Sequence, residues 1–95
     1  MTENYAPAKT QRDKLHRALL NAPLAKVHPG GAGHWLSLRE IIQLGIAQYS
    51  ARIAELRREL RASGWTIENY REWNDIEQRS HSWYRLAPLR RLVTK

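Results

Sequence analysis

The chain has 95 residues, lacks cysteine and phenylalanine, and carries 16 Lys and Arg against 9 Asp and Glu, a formal charge of +7. This length fits one domain with a modest core, and an apolar fraction of 42% is too high for a generic disordered tail. Without cysteine there is no disulfide framework, thiolate nucleophile or thiolate zinc site, and no run of 18 apolar residues offers a membrane-spanning helix.

The opening residues, Met1-Thr2-Glu3-Asn4-Tyr5, lack the basic start and apolar stretch of a signal peptide, so a cytoplasmic location is expected. So large a positive charge on so short a chain points to an anionic partner, with nucleic acid first.

Residues 1–8 read as a flexible N-terminal tail, 9–87 as the folded domain and 88–95 as a basic C-terminal tail. Thr10 is placed to cap a first helix over 10–21, with Leu15, Ala18, Leu19 and Ala22 spaced as one apolar face. Pro23 closes that helix. His28-Pro29-Gly30-Gly31-Ala32-Gly33 is turn chemistry, and Trp35-Leu36 form a short extended piece. Ser37 with Glu40 three residues on is a capping box. It opens a short helix whose Leu38, Ile41 and Ile42 are expected to face inward, ended by Gly45.

A longer helix is expected from Ile46 to Ala62. Ile46, Tyr49, Ile53, Leu56 and Leu60 form its apolar stripe, and Gly64 supplies the left-handed terminus. Ala47, Gln48, Ala51, Glu55 and Arg58 form the opposite face, with Arg61 on its flank. Residues 65–73 and 81–86 are rich in aromatic and β-branched types and are separated by a polar stretch, 74–79, which predicts a hairpin. Its Trp65, Trp73, Trp83 and Tyr84 are expected to fill the core.

Three helices followed by a hairpin, with only Gly45 between the second and third, predict an α+β chain of winged helix-turn-helix type. The third helix would then enter a DNA major groove. Gln48 is suited to a bidentate contact with adenine, Ala47 and Ala51 would let the backbone come close, and Arg58 and Arg61 would reach phosphates.

Gly45-Ile46-Ala47-Gln48-Tyr49-Ser50-Ala51-Arg52-Ile53-Ala54-Glu55-Leu56-Arg57, followed by Gly64-Trp65-Thr66-Ile67, resembles a helix-turn-helix family of small phage and bacterial proteins. The resemblance implies double-stranded DNA binding, sequence-specific or structure-selective, usually in transcriptional control. It emphasises Ser50, Arg52 and Arg57. The chain departs from the family pattern in the six residues between Arg57 and Gly64, which make the third helix about a turn longer.

Arg52 and Arg57 have a second reading, as partners of Glu55, Glu59 or another acid that fix the fold. Glu55 would accept from a cytosine or, the preferred reading, pair with Arg58 at i, i+3. Residues 65–84 carry Arg71 and Arg79 against Glu68, Glu72, Asp75 and Glu77, a net of −2, so hairpin contacts are expected only from Arg79 and His81 near the tip. The tail is basic, and its Arg90 and Arg91 would follow the DNA backbone or a minor groove.

His16, His28, His34 and His81 lack metal-ligand spacing, no acid–His–nucleophile pattern occurs, and the glycine-rich loop lacks the Lys-Ser/Thr of a phosphate cradle. Neither catalysis, a metal nor a small-molecule cofactor is expected. A homodimer is an expected partner state, because one module buries little surface on DNA. Two alternatives share the pattern: a protein-interaction adaptor and an excisionase-like architectural protein that bends DNA.

Overall fold

The computed structural model describes residues 8–89. Helix α1 (Ala8–Leu20) is followed by strands β1 (Leu24–Ala25), β2 (Gly33–His34) and β3 (Leu36–Ser37). Helices α2 (Leu38–Gln43) and α3 (Tyr49–Arg61) come next, then strands β4 (Trp65–Asn74) and β5 (Arg79–Pro88).

Each helix forms where its apolar positions recur at helical spacing. In α1, Leu15 and Leu19 are buried, and Ala22 just beyond the helix continues their line. Helix α1 begins at Ala8, so Thr10 lies inside it rather than at its cap. In α2 the capping box forms as expected: Ser37 Oγ accepts from Glu40 N–H at 3.1 Å, and the Glu40 carboxylate accepts from Ser37 N–H at 3.0 Å. Ile41 is fully buried and Leu38 packs against the core, but Ile42 is 57% exposed. The core contact of this short helix runs through Leu38 and Ile41, and Ile42 is left on its exposed flank.

The turn into α3 is longer than the sequence pattern suggests: five residues, 44–48, separate the two helices. Gly45 and Gln48 both adopt positive φ, 78° and 51°, around the buried Ile46. A residue in the left-handed region cannot lie within the helix. Helix α3 therefore starts at Tyr49, and the Gln48 carbonyl accepts its first amides, from Ala51 and Arg52. Ile53 and Leu56 are buried, with Tyr49 and Leu60 packed beside them.

The strands overturn the expected winged helix-turn-helix. Three helices followed by an appended hairpin would leave the segment between α1 and α2 as plain loop. Instead that segment makes three strands: β1 and β2 pair with each other, and β3 joins the later sheet. That sheet has the order β3-β5-β4, antiparallel throughout, so β5 is central. Its two long strands of ten residues pair along their whole length, from Trp65 opposite Pro88 to Asn74 opposite Arg79. The strand-rich C-terminal half is thus the body of an α+β fold, not an appendage to helices.

Both faces of this sheet are covered over the half nearest the helices, whereas residues 71–80 at the hairpin end are largely exposed. On one face Leu36, Ile67 and Tyr84 meet Leu15, Leu19, Ile41, Ile53 and Leu56 in a single apolar core. On the other, the glycine-rich loop folds over Tyr70 and Trp83. His28 stacks on Trp35 at 4.6 Å between centroids and meets Tyr70 and Trp83 edge-on. Gly30 N–H donates to His28 Nδ1 at 3.0 Å, and Trp35 Nε1 donates to Gly31 O at 2.7 Å. Arg85, beside this cluster, lies over the Trp35 ring at 4.4 Å. It also pairs with Glu68 at 2.8 Å and donates to Ala32 O at 2.9 Å. Of the aromatics expected in the core, Tyr84 is buried and Trp83 joins the cluster, whereas Trp65 and Trp73 are 43% and 54% exposed. They stand at the two ends of β4, beyond the reach of the packed layers.

Two outcomes test this packing. A Cβ at Gly30 would lie 2.9 Å from Trp35 and 3.1 Å from Tyr70. Gly30→Ala is expected to lower unfolding free energy by about 1–3 kcal/mol, read by urea denaturation. The buried Tyr84 hydroxyl is held above its ordinary value of 10.0, by desolvation first and by the neighbouring Tyr49 second. The raised value means that the folded state holds this proton more tightly than the unfolded chain does. The contribution is complete below about pH 10 and is lost as pH rises through the folded value. Tyr84→Phe should therefore lose less stability than the wild type between about pH 9 and 11, in parallel denaturation series.

Candidate nucleic-acid interface

Helix α3 carries the densest set of arginines, and each of its faces has a different use. The inward stripe is apolar. The flank towards α1 is spent on ion pairs: Arg52 with Glu55 at 3.0 Å, and Glu59 with Arg12 of α1 at 3.0 Å. Arg52 is largely buried in this arrangement, so it fastens the fold and is not free for DNA. Glu55 pairs with Arg52, not with Arg58 as the spacing suggested. Both separations are three residues, and the Arg52 side chain is the one on the half-buried flank.

Arg57 is also committed to the fold. Its Nε and Nη2 both donate to Ile67 O, at 3.1 and 3.0 Å. This ties α3 to β4 through a carbonyl on the free edge of the sheet.

What remains exposed and without an ion pair or hydrogen bond to another element is a stripe rotated from the expected one. It runs through Ser50, Ala54, Arg58 and Arg61, with Ala51 only half exposed. Ala47 and Gln48 are exposed too, but in the turn preceding the helix, so Gln48 leads from a left-handed backbone position and not from the helix face. Among the described residues, neither Arg58 nor Arg61 has an acidic partner.

The hairpin tip does not contribute free cations. Glu77 accepts from His81 Nε2 at 2.7 Å and pairs with Arg79 at 3.1 Å. The His81 hydrogen bond, then that of Arg79, holds the Glu77 carboxyl below its ordinary value. Arg79 and His81, expected near DNA, are thus engaged by an acid on their own turn. Arg90 and Arg91 lie outside the described residues, as do residues 1–7 of the N-terminal tail.

One feature of the interface was not visible in the spacing. The last turn of α3 and the start of β4 enclose a groove of about 230 Å³, lined by Ala54, Arg57, Arg58, Arg61, Trp65, Thr66 and Leu89. Leu89, where the described chain ends, donates its N–H to Gly64 O at 2.8 Å. Trp65 faces this groove because Gly64, at φ 83°, turns the chain sharply from helix to strand. The signal in the sequence was a Gly-Trp pair beginning three residues after Arg61, whose Trp hydrophobic patterning reads as core.

Among the described residues, no three His, Asp or Glu side chains gather as metal ligands. None of their helices is long and apolar enough to cross a membrane. No protein-family model, curated protein or solved structure matches the chain.

The division of labour on α3 has a direct check. Arg52→Ala removes a largely buried charge and leaves Glu55 without its partner, so unfolding free energy should fall by about 1–3 kcal/mol. Arg58→Ala, on the exposed stripe, should change it by about 0.5 kcal/mol or less in the same thermal and urea melts.

Proposed function

We propose that this protein binds double-stranded DNA with the exposed face of α3 and acts by binding, not by chemistry. The observation that carries the reading is the pair Arg58 and Arg61. They stand on one exposed helical stripe without acidic partners among the described residues, while Arg12, Arg52, Arg79 and Arg85 are all ion-paired. Unpaired guanidinium groups keep their full attraction for phosphate.

The rest of the stripe suits the same partner. Helix α3 is 13 residues long, and an α-helix fits a major groove about 12 Å wide. Ser50 and Ala54 are small and exposed, so the backbone of the first half of α3 can approach base edges. Gln48 offers a carbonyl and an amide side by side, the pattern that adenine accepts and donates to. Arg58 and Arg61 then fall one to two turns further along, over the phosphates. The sequence resemblance of residues 45–67 extends this to a regulatory role in a bacterium or phage.

The reading predicts salt-sensitive binding. A fluorescence titration with a duplex of about 20 base pairs at about 50 mM salt should give a dissociation constant in the micromolar range or tighter. Affinity should fall steeply as salt is raised. Arg58→Ala combined with Arg61→Ala should weaken binding about tenfold or more and reduce the salt slope by about 2, with the melting temperature nearly unchanged. No binding by the wild type at tens of micromolar, or undiminished affinity in a folded double variant, would refute it.

A further inference from the structure

We infer that the groove between α3 and β4 seats one unpaired nucleotide, its base stacked on Trp65 and its phosphate held by Arg58 and Arg61. The inference rests on the reading of Arg58 and Arg61 as phosphate-binding residues. It adds a ligand class that duplex binding alone does not require.

The argument begins with Trp65. It lies on the core side of β4, two residues before the buried Ile67, yet it remains 43% exposed. The other aromatics on the β4–β5 sheet are largely placed: Tyr70 and Trp83 lie in the cluster with His28 and Trp35, and Trp73 donates its indole N–H to Asp75 at 2.8 Å. Among the described residues, Trp65 has neither a ring partner nor a hydrogen-bond partner for its indole.

An exposed indole is a general platform for bases, because every base has a π-face. In a continuous duplex each base face is already covered by its neighbours. A base that reaches Trp65 must therefore be unpaired, as at a single strand, an overhang or a fork.

The surroundings match a nucleotide better than a plain apolar ligand. Arg58 and Arg61 are three residues apart on α3, so they share one face and border the same groove as the indole. The groove is open to solvent, and its volume of about 230 Å³ leaves room for a ring to lie against the indole. Arg57 braces the wall through Ile67 O, and in doing so it caps the outward carbonyl of β4. That contact blocks an incoming strand from pairing at this end, so the groove is not a site for a peptide added to the sheet edge.

Basic residues near the end of a helix also complement its dipole. That role accounts for Arg58 and Arg61 but leaves the exposed indole beside them without a use, whereas a stacked nucleotide accounts for all three.

The test uses the full chain and two probes: a dye-labelled oligothymidylate of about six nucleotides and a blunt duplex of about 20 base pairs. The oligonucleotide should bind the wild type and quench its tryptophan fluorescence. Trp65→Phe should remove most of that quenching, and Trp73→Phe should leave it in place. Trp65→Ala should weaken oligonucleotide binding about tenfold or more, while duplex affinity changes less than about threefold.

If the duplex binds but the oligonucleotide does not, the nucleotide seat is refuted and the duplex reading stands. Unchanged quenching in Trp65→Phe, or full oligonucleotide affinity in a folded Trp65→Ala, also refutes the seat. If the oligonucleotide binds with Trp65-dependent quenching and the duplex does not, the seat stands and the duplex reading falls. If neither probe binds, both fall.

Discussion

The guanidinium of Arg85 sits in the interior with its residue only 8% exposed, and the second face of the sheet is arranged around it. A buried charge is tolerated only when it is paired and its donors are satisfied. Arg85 meets that demand with three groups from three parts of the chain: the carboxylate of Glu68 opposite it on β4, the carbonyl of Ala32 and the ring of Trp35. Glu68 supplies the opposite charge, while the Ala32 carbonyl and the Trp35 ring meet the rest of the guanidinium, so the loop before β2 is fastened to the sheet. Gly33 shows how closely it is fastened, because a Cβ there would stand 2.6 Å from Arg85 Nη1. With the loop so held, His28 and Trp35 are delivered onto Tyr70 and Trp83, and a glycine-rich segment with almost no secondary structure becomes a packed layer.

This layer explains why β5 is central in both senses. It lies between β3 and β4, and its successive residues serve opposite faces, Tyr84 in the helix-side core and Trp83 and Arg85 in the aromatic layer. The base of this hairpin, residues 66–70 and 81–88, is packed into the fold, so the hairpin is not an independent arm. The expectation of three helices with an appended hairpin fails for that reason: residues 81–86 do form a strand, but it is the central one of the sheet, between β3 and β4.

The parts legible in the sequence are those with local causes. The capping box at Ser37 and Glu40, the stripe through Ile53 and Leu56, the helix stop at Gly64 and the hairpin all follow from spacing or turn chemistry within about ten residues. What was not legible depends on partners far along the chain. The strands β1, β2 and β3 have two residues each, too few to show a period. The buried role of Arg85 needs a carbonyl 53 residues away. On α3 the spacing identified the buried stripe through Ile53 and Leu56 but not the face that is exposed. Which flank of that face turns towards α1 was decided by Arg12, whose pairing with Glu59 no local pattern reveals. The exposed stripe therefore moved from Ala51 and Glu55 to Ser50 and Ala54.

The same ion pairs decide how the charge of +7 is expressed. Arg12, Arg52, Arg79 and Arg85 are each neutralised by an acid, and Arg57 is consumed by a carbonyl. The positive field that survives on α3 is narrow and lies at its C-terminal end. That end carries the negative pole of the helix dipole, which by itself repels phosphate. The hydrogen-bonding groups there are partly occupied, with the Leu60, Arg61 and Gly64 carbonyls accepting from Ser63, Gly64 and Leu89. The long side chains of Arg58 and Arg61 also carry their charge well away from the backbone, where a full unit charge outweighs a half-unit pole at greater distance. Attraction for an anion here is therefore a property of two side chains and not of the helix. Any phosphate contact on this face, as proposed for DNA, therefore depends on two surface side chains that the fold does not need.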